Sequence, residues 1–204
     1  MEAFKAALYP GSVEKAHYIP EVFRKNEGFL TSGQVNYVCR AGNFRKSGLK
    51  YTGALRVLKV MLGYEYLWVN VRVKGGAYGC MCSFGRSGDS YFVSYRDPNL
   101  GKTIDVYEKA ADAIAEFTAD ERTMTQYIIG AVSDLDVPMN PAAQGLYSLS
   151  AYMTGLDDAA LQRERDELLS ATVEDIRALS AHIRAFMQED LLCVVGTASQ
   201  VKGE

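Results

Sequence analysis

Histidine is almost missing: His17 and His182, 165 positions apart, are the two in 204 residues. No His-x-x-His, His-x-x-Glu-His or Cys-x-x-Cys occurs, which removes the usual zinc and dithiol spacings. Long apolar runs are missing too. The longest, such as Leu191 to Val195, falls far below the roughly 20 residues that cross a bilayer, so no membrane is expected as a partner. No charged segment followed by an apolar one opens the chain, so no secretory signal is expected. Excess charge of either sign is lacking, and a net charge of −3 gives no reason to expect nucleic acid. Cysteine is sparse: Cys39, Cys80, Cys82 and Cys193 do not form a disulfide framework or a zinc spacing. They read as buried reduced thiols, and a reducing, cytoplasmic compartment is the default expectation.

What remains is an ordinary globular composition, 48% hydrophobic and 23% charged, with a length suited to one large domain or two small ones. The first thirty residues carry punctuation at Pro10–Gly11, Pro20 and Gly28 but no clear element. From Gln34 to Arg40 apolar and polar residues alternate, which predicts a half-buried strand with Val35, Tyr37 and Cys39 inward and Gln34, Asn36 and Arg40 outward. Gly42 to Gly48 reads as a loop. From Tyr51 to Val71 the spacing of Leu55, Leu58, Leu62, Tyr66 and Val69 predicts one or two helices broken near Gly63. Ala77 to Phe84 and Ser90 to Arg96 alternate around a glycine-rich turn and predict a hairpin, with Tyr78, Cys80, Cys82 and Phe84 facing one way.

Asp97–Pro98 reads as an N-cap and first helical position, opening a helix to about Phe117. Thr118 to Glu121 has capping-box spacing before a helix ending near Asp134. Further helices are predicted at 142–153, 157–169 and 173–188, the last opened by Thr172 and Asp175. A short buried strand at Leu191–Val195 and a frayed tail from Ser199 complete the chain. Strand, helix, hairpin, several helices and strand, in that order, fit an α+β fold: a two-layer, mainly antiparallel sheet with helices on one face, formed by residues 1–204 as a single domain.

Most candidate chemistry has a plain reading. His182 lies in a helix pattern and reads as a helix-surface residue, and His17 has no assignable role. Asp134 and Asp136, two apart at a helix end, read as solvated or capping carboxylates more readily than as a metal or acid–base pair. Gly75 to Gly79 is glycine-rich but precedes a strand, where a phosphate cradle would precede a helix. The segment Arg72 to Gly79 (RVKGGAYG) stands out. It joins the helical stretch to the hairpin, and Gly75–Gly76 is where the backbone must turn. One reading is a surface arginine and a sheet tyrosine. The other is a substrate grip, in which Arg72 supplies a fork of donors, Tyr78 one O–H, and Gly75 and Gly76 let another backbone come close.

Three separated stretches, in order, carry a resemblance: Tyr66 to Gly79, Phe92 to Leu100, and Ile129 to Asp136. Together they resemble the C-terminal part of the presequence protease branch of the insulinase/pitrilysin zinc metallopeptidases, with similarity from about Gln34 to Val195. The resemblance implies a peptidase built from four related α+β domains whose halves close around an unfolded peptide. It implies zinc ligands and a glutamate general base in the N-terminal half, and none in this chain. It also implies that Arg72 and Tyr78, at the family's six-residue spacing, reach the substrate near the scissile carbonyl. On this basis the chain is expected to be a fourth domain, inactive alone and partnered by the zinc-bearing half and an unfolded peptide. The alternative is a stand-alone inactive homologue that binds peptides or assembles with a zinc-bearing subunit.

Overall fold

A computed structural model describes residues 6, 7, 11, 17–21 and 23–202. Pro10, part of the punctuation noted above, and the last two residues of the tail lie outside the described residues. Five strands form one sheet: β1 (Glu27–Leu30), β2 (Asn36–Asn43), β3 (Gly79–Phe84), β4 (Asp89–Asp97) and β5 (Leu191–Gly196), in the spatial order β1-β5-β2-β4-β3. β1 runs parallel to β5, and every other pairing is antiparallel. The helices are α1 (Ala54–Met61), which continues as a π-helical segment Leu62–Val73, then α2 (Gly101–Glu108), α3 (Ala110–Ala115), α4 (Glu121–Leu135), α5 (Pro141–Thr154), α6 (Asp158–Leu169), α7 (Val173–Ala178), α8 (Ser180–Met187) and α9 (Ala198–Lys202). The result is the α+β plan the element order predicts.

The core lies between the sheet and its helices. Phe92 of β4 is fully buried against three aromatic neighbours, with ring centroids 6.4 Å from Phe84, 5.4 Å from Tyr107 and 5.1 Å from Phe186. The opposite sheet face keeps Phe29, Tyr37, Met81 and Tyr91 partly in solvent. The hairpin turn Gly85–Gly88 closes as expected, with the Gly85 N–H donating to Asp89 O at 2.8 Å.

β2 reverses the predicted faces. Val38, Asn36 and Arg40 point into the core, while Tyr37 is exposed and Cys39 half-buried. Alternation fixes which residues share a face, not which face is covered. The polar residues go inward because distant partners take up most of their donors, although Asn36 Oδ1 and Arg40 Nε stay unpaired among the described residues. Arg40 donates to Asp190 at 2.5 Å and to Glu108 at 2.6 Å. The Asn36 amide donates to Asp97 O at 2.9 Å and to Gln200. The predicted loop at Gly42–Gly48 is instead the end of β2 followed by a 3₁₀ turn, Phe44–Ser47, that buries Phe44.

Gly63 breaks nothing. The helix opened by Ala54 runs on to Val73 by widening into π geometry. The sequence contains the reason: buried Leu62 and Leu67 are five apart, a spacing that i→i+5 turns bring onto one face and α-turns do not. Asp97 is the end of β4 and not an N-cap. Its carboxylate accepts from the Asn99 N–H at 2.8 Å and the Thr103 hydroxyl at 2.7 Å, and α2 begins only at Gly101. The N-cap of α4 is Asp120, accepting from the Thr123 N–H at 2.8 Å, in place of Thr118. The Thr172–Asp175 capping box forms as predicted, although the helix beyond it divides into α7 and α8.

His182 is buried, contrary to expectation. Its Nε2 lies 2.9 Å from Lys50 O, and its ring packs edge-on to Phe44 at 4.9 Å. Asp136 chelates Arg165 through two contacts of 2.6 Å, which hold its carboxyl below the usual range; Asp134 lies 3.5 Å from Lys59. Both therefore sit in ion pairs, where the plain reading has solvated or capping carboxylates; neither forms part of a metal group among the described residues. The tail from Ser199 is helical through Lys202, with Val201 partly buried. α5 buries none of its residues and leaves Leu146, Tyr152 and Met153 in solvent.

Candidate functional site

The corner between the π-helical segment and β3 is built from backbone first. The Gly76 N–H donates to Arg72 O at 2.8 Å and the Ala77 N–H to Val71 O at 3.1 Å, so the helix ends in a closed turn. The Asn99 amide fixes the same turn from the side by donating to Gly75 O. Gly76 has φ +81°, which favours glycine. A Cβ at Gly75 would stand 2.4 Å from Val71 O. Both glycines thus serve the chain's own turn. Gly76 is also exposed and leaves bare backbone beside the site.

This turn places the predicted pair together. The Arg72 guanidinium carbon sits 3.9 Å from the centre of the Trp68 ring, one helical turn back, and 5.9 Å from that of Tyr78. Tyr78 is 58% exposed, and its ring meets Tyr95 edge-on at 5.4 Å. The Arg72 side chain forms no hydrogen bond or ion pair among the described residues. Stacking uses the face of a guanidinium and leaves its N–H edges free, so the site offers a fork of oriented donors beside an open phenol. A cleft of about 270 Å³ begins at Trp68 and runs along Cys80, Met81 and Cys82 of β3.

The charge around the corner is positive. Lys74 and Arg96 flank it, and neither makes an ion pair among the described residues. The carboxylate of Asp97, next to Arg96 in sequence, turns into the core and is occupied. Cys80, beside the corner, is pushed up to about 11, first by burial and then by Asp97, with Arg72 pulling the other way; Cys82 is pushed up to about 12 by burial. All four thiols are free. Because the folded values are raised, the unfolded thiols ionise first. Stability is therefore lost as pH climbs from about 8.5 towards 11. At pH 8 Cys80 and Cys82 should react with an aromatic disulfide reagent on the order of a hundredfold more slowly than in denaturant. Equal rates in both states would contradict this burial.

No group of three or more His, Cys, Asp or Glu side chains that could hold a metal occurs among the described residues. His182 spends Nε2 on a backbone carbonyl, and its Nδ1 is buried.

The sequence profile described as the PreP C-terminal domain matches residues 26–200. The chain belongs to the presequence protease C-terminal domain family. It is 44% identical over 189 residues to Protein HypA of Clostridium perfringens, covering 93% of this chain and 19% of that protein. It is 35% identical over 178 residues to presequence protease 1, chloroplastic/mitochondrial, of Arabidopsis thaliana, covering 87% of this chain and 16% of that protein. The chain thus spans less than a fifth of the curated relatives it matches. Its fold is similar to the crystal structure of a peptidase M16 inactive domain from Pseudomonas fluorescens (TM-score 0.65, 16% identity, 96% of this chain and 49% of that one). It is also similar to the inactive peptidase domain of a putative zinc protease from Bordetella parapertussis (TM-score 0.59, 12% identity, 81% of this chain and 91% of that one).

Within this presequence protease domain, sequence reasoning missed two members of the corner. Trp68 is four residues before Arg72, a spacing that signals a stacked pair once a helix is drawn there. Arg96 carries no comparable signal, because its place depends on a strand irregularity that no local pattern marks.

Proposed function

We propose that this chain is the non-catalytic C-terminal domain of a zinc metalloendopeptidase that degrades unfolded peptides. It supplies Arg72 and Tyr78 to a cleavage site whose zinc and general base belong to the N-terminal half of the same protease. One observation carries the reading: the Arg72 donors have no partner among the described residues, while Trp68 holds the guanidinium in place beside an exposed phenol. A side chain fixed by stacking loses little further freedom when it engages a ligand. Arg72 would grip a backbone carbonyl of the peptide. The Tyr78 O–H would donate to the oxyanion that develops as the adjacent bond is attacked, a contact stronger in the transition state than in the ground state. The family match over residues 26–200 supports the assignment.

Mixing this chain with the zinc-bearing half and following an unstructured, internally quenched peptide tests it. Cleavage is expected from the mixture, and not from this chain with or without added zinc. Turnover by this chain alone would overturn the reading.

A further inference from the structure

The corner holds a second guanidinium whose position is unusual. Val38 of β2 pairs with Ser94 of β4, and Asn36 pairs with Asp97. Between these pairs β2 supplies Tyr37 alone, whereas β4 supplies Tyr95 and Arg96. This is a β-bulge, which adds a residue to one strand and re-aims its side chain. Arg96 has φ +48°, a left-handed conformation that a side chain disfavours and glycine accepts freely. The bulge directs its guanidinium towards Tyr78: Cζ lies 5.7 Å from the ring centre, with Arg72 at 5.9 Å from the same ring. Arg96 is exposed and has no ion pair or hydrogen bond through its side chain among the described residues.

Strain of this kind persists where the surroundings impose it, and it concentrates at functional positions. Two cationic forks around one phenol, neither ion-paired among the described residues, leave a local positive charge on a chain of net charge −3. Arginine matches a carboxylate through paired, charge-assisted hydrogen bonds. Tyr78 supplies the ring that both guanidinium carbons approach.

We propose that Arg96, with Arg72 and Tyr78, forms a carboxylate-binding site that selects peptides carrying a free carboxylate near the residue gripped by Arg72. The proposal rests on the peptide-binding reading above and narrows its substrate class. Peptides supply carboxylates from two sources, the C-terminus and the acidic side chains, and both present the same planar acceptor to the same donors.

The test measures binding of this chain to three fluorescent, unstructured peptides of one Gly/Ser-rich sequence. The first has a free C-terminal carboxylate and no acidic residue. The second is C-terminally amidated with one glutamate, and the third is amidated with glutamine in its place. The first, the second or both should bind about tenfold tighter than the third, a preference that shrinks with added salt. Tighter binding of the first assigns the site to C-termini, and of the second to acidic side chains.

Arg96→Gly should bring every peptide to the affinity of the third. It should leave the melting temperature unchanged or raised, because glycine accepts the bulge conformation. Arg96→Lys should retain part of the preference. Equal affinity for all three peptides would leave the peptide-binding reading standing and overturn the carboxylate site. A preference that survives Arg96→Gly would overturn the role of Arg96. No binding of any peptide would overturn both readings.

Discussion

Arg72→Ala, placed in a complete protease that carries this domain, is expected to lower kcat/KM by about 10²–10³ while bound zinc stays at the parental level. That factor corresponds to about 2.7–4 kcal/mol of lost transition-state stabilisation. The size follows from the geometry. Arg72 stacks on Trp68, so its donors arrive already oriented, and alanine removes all of them at once. Tyr78→Phe keeps the ring that meets Tyr95 and removes only the O–H, so it isolates one donor. Arg72→Lys keeps the charge and loses both the planar stack and the fork, so it should rescue only a minor part. Initial rates on an unstructured fluorogenic peptide, read beside metal content, decide the matter. Parental rates in both Arg72→Ala and Tyr78→Phe would end the assignment. A fall in zinc content would show that the substitution acts through the fold.

Phe92→Ala is expected to cost about 3–5 kcal/mol of stability, measured as a shift in the denaturant midpoint of this chain. Phe92 is fully buried on β4 and meets rings from three other elements: Phe84 of β3, Tyr107 of α2 and Phe186 of α8. Phe186 and Tyr107 are fully buried as well, so little solvent-side freedom exists for the space to close. A loss below about 1 kcal/mol would mean that the sheet and helices do not meet around this ring.

The sequence made some of this legible and hid the rest for physical reasons. The β3–β4 hairpin could be read because glycines punctuate it between two alternating runs, and the α7 cap because Thr172 and Asp175 satisfy each other locally. β1 could not be read. It is a short, largely exposed strand whose backbone is completed by β5, which pairs Glu27 with Cys193. The inward face of β2 was read backwards because Arg40 draws its counter-charges from Glu108 and Asp190, far away in sequence. Arg72 and Tyr78 could be expected at one corner because their spacing is local. The direction of Arg96 depends on the alignment of two strands, so no local pattern announces it.

β5 also bears on how the molecule comes into being. The strand lodged between β1 and β2 is contributed by residues 191–196. During synthesis on the ribosome, β1 must therefore wait, without its neighbour, until the chain has been made as far as Gly196. Contacts joining such distant stretches of chain form slowly. The nascent hairpin and helices can gather early, but the sheet becomes continuous only when that late segment slides into its slot.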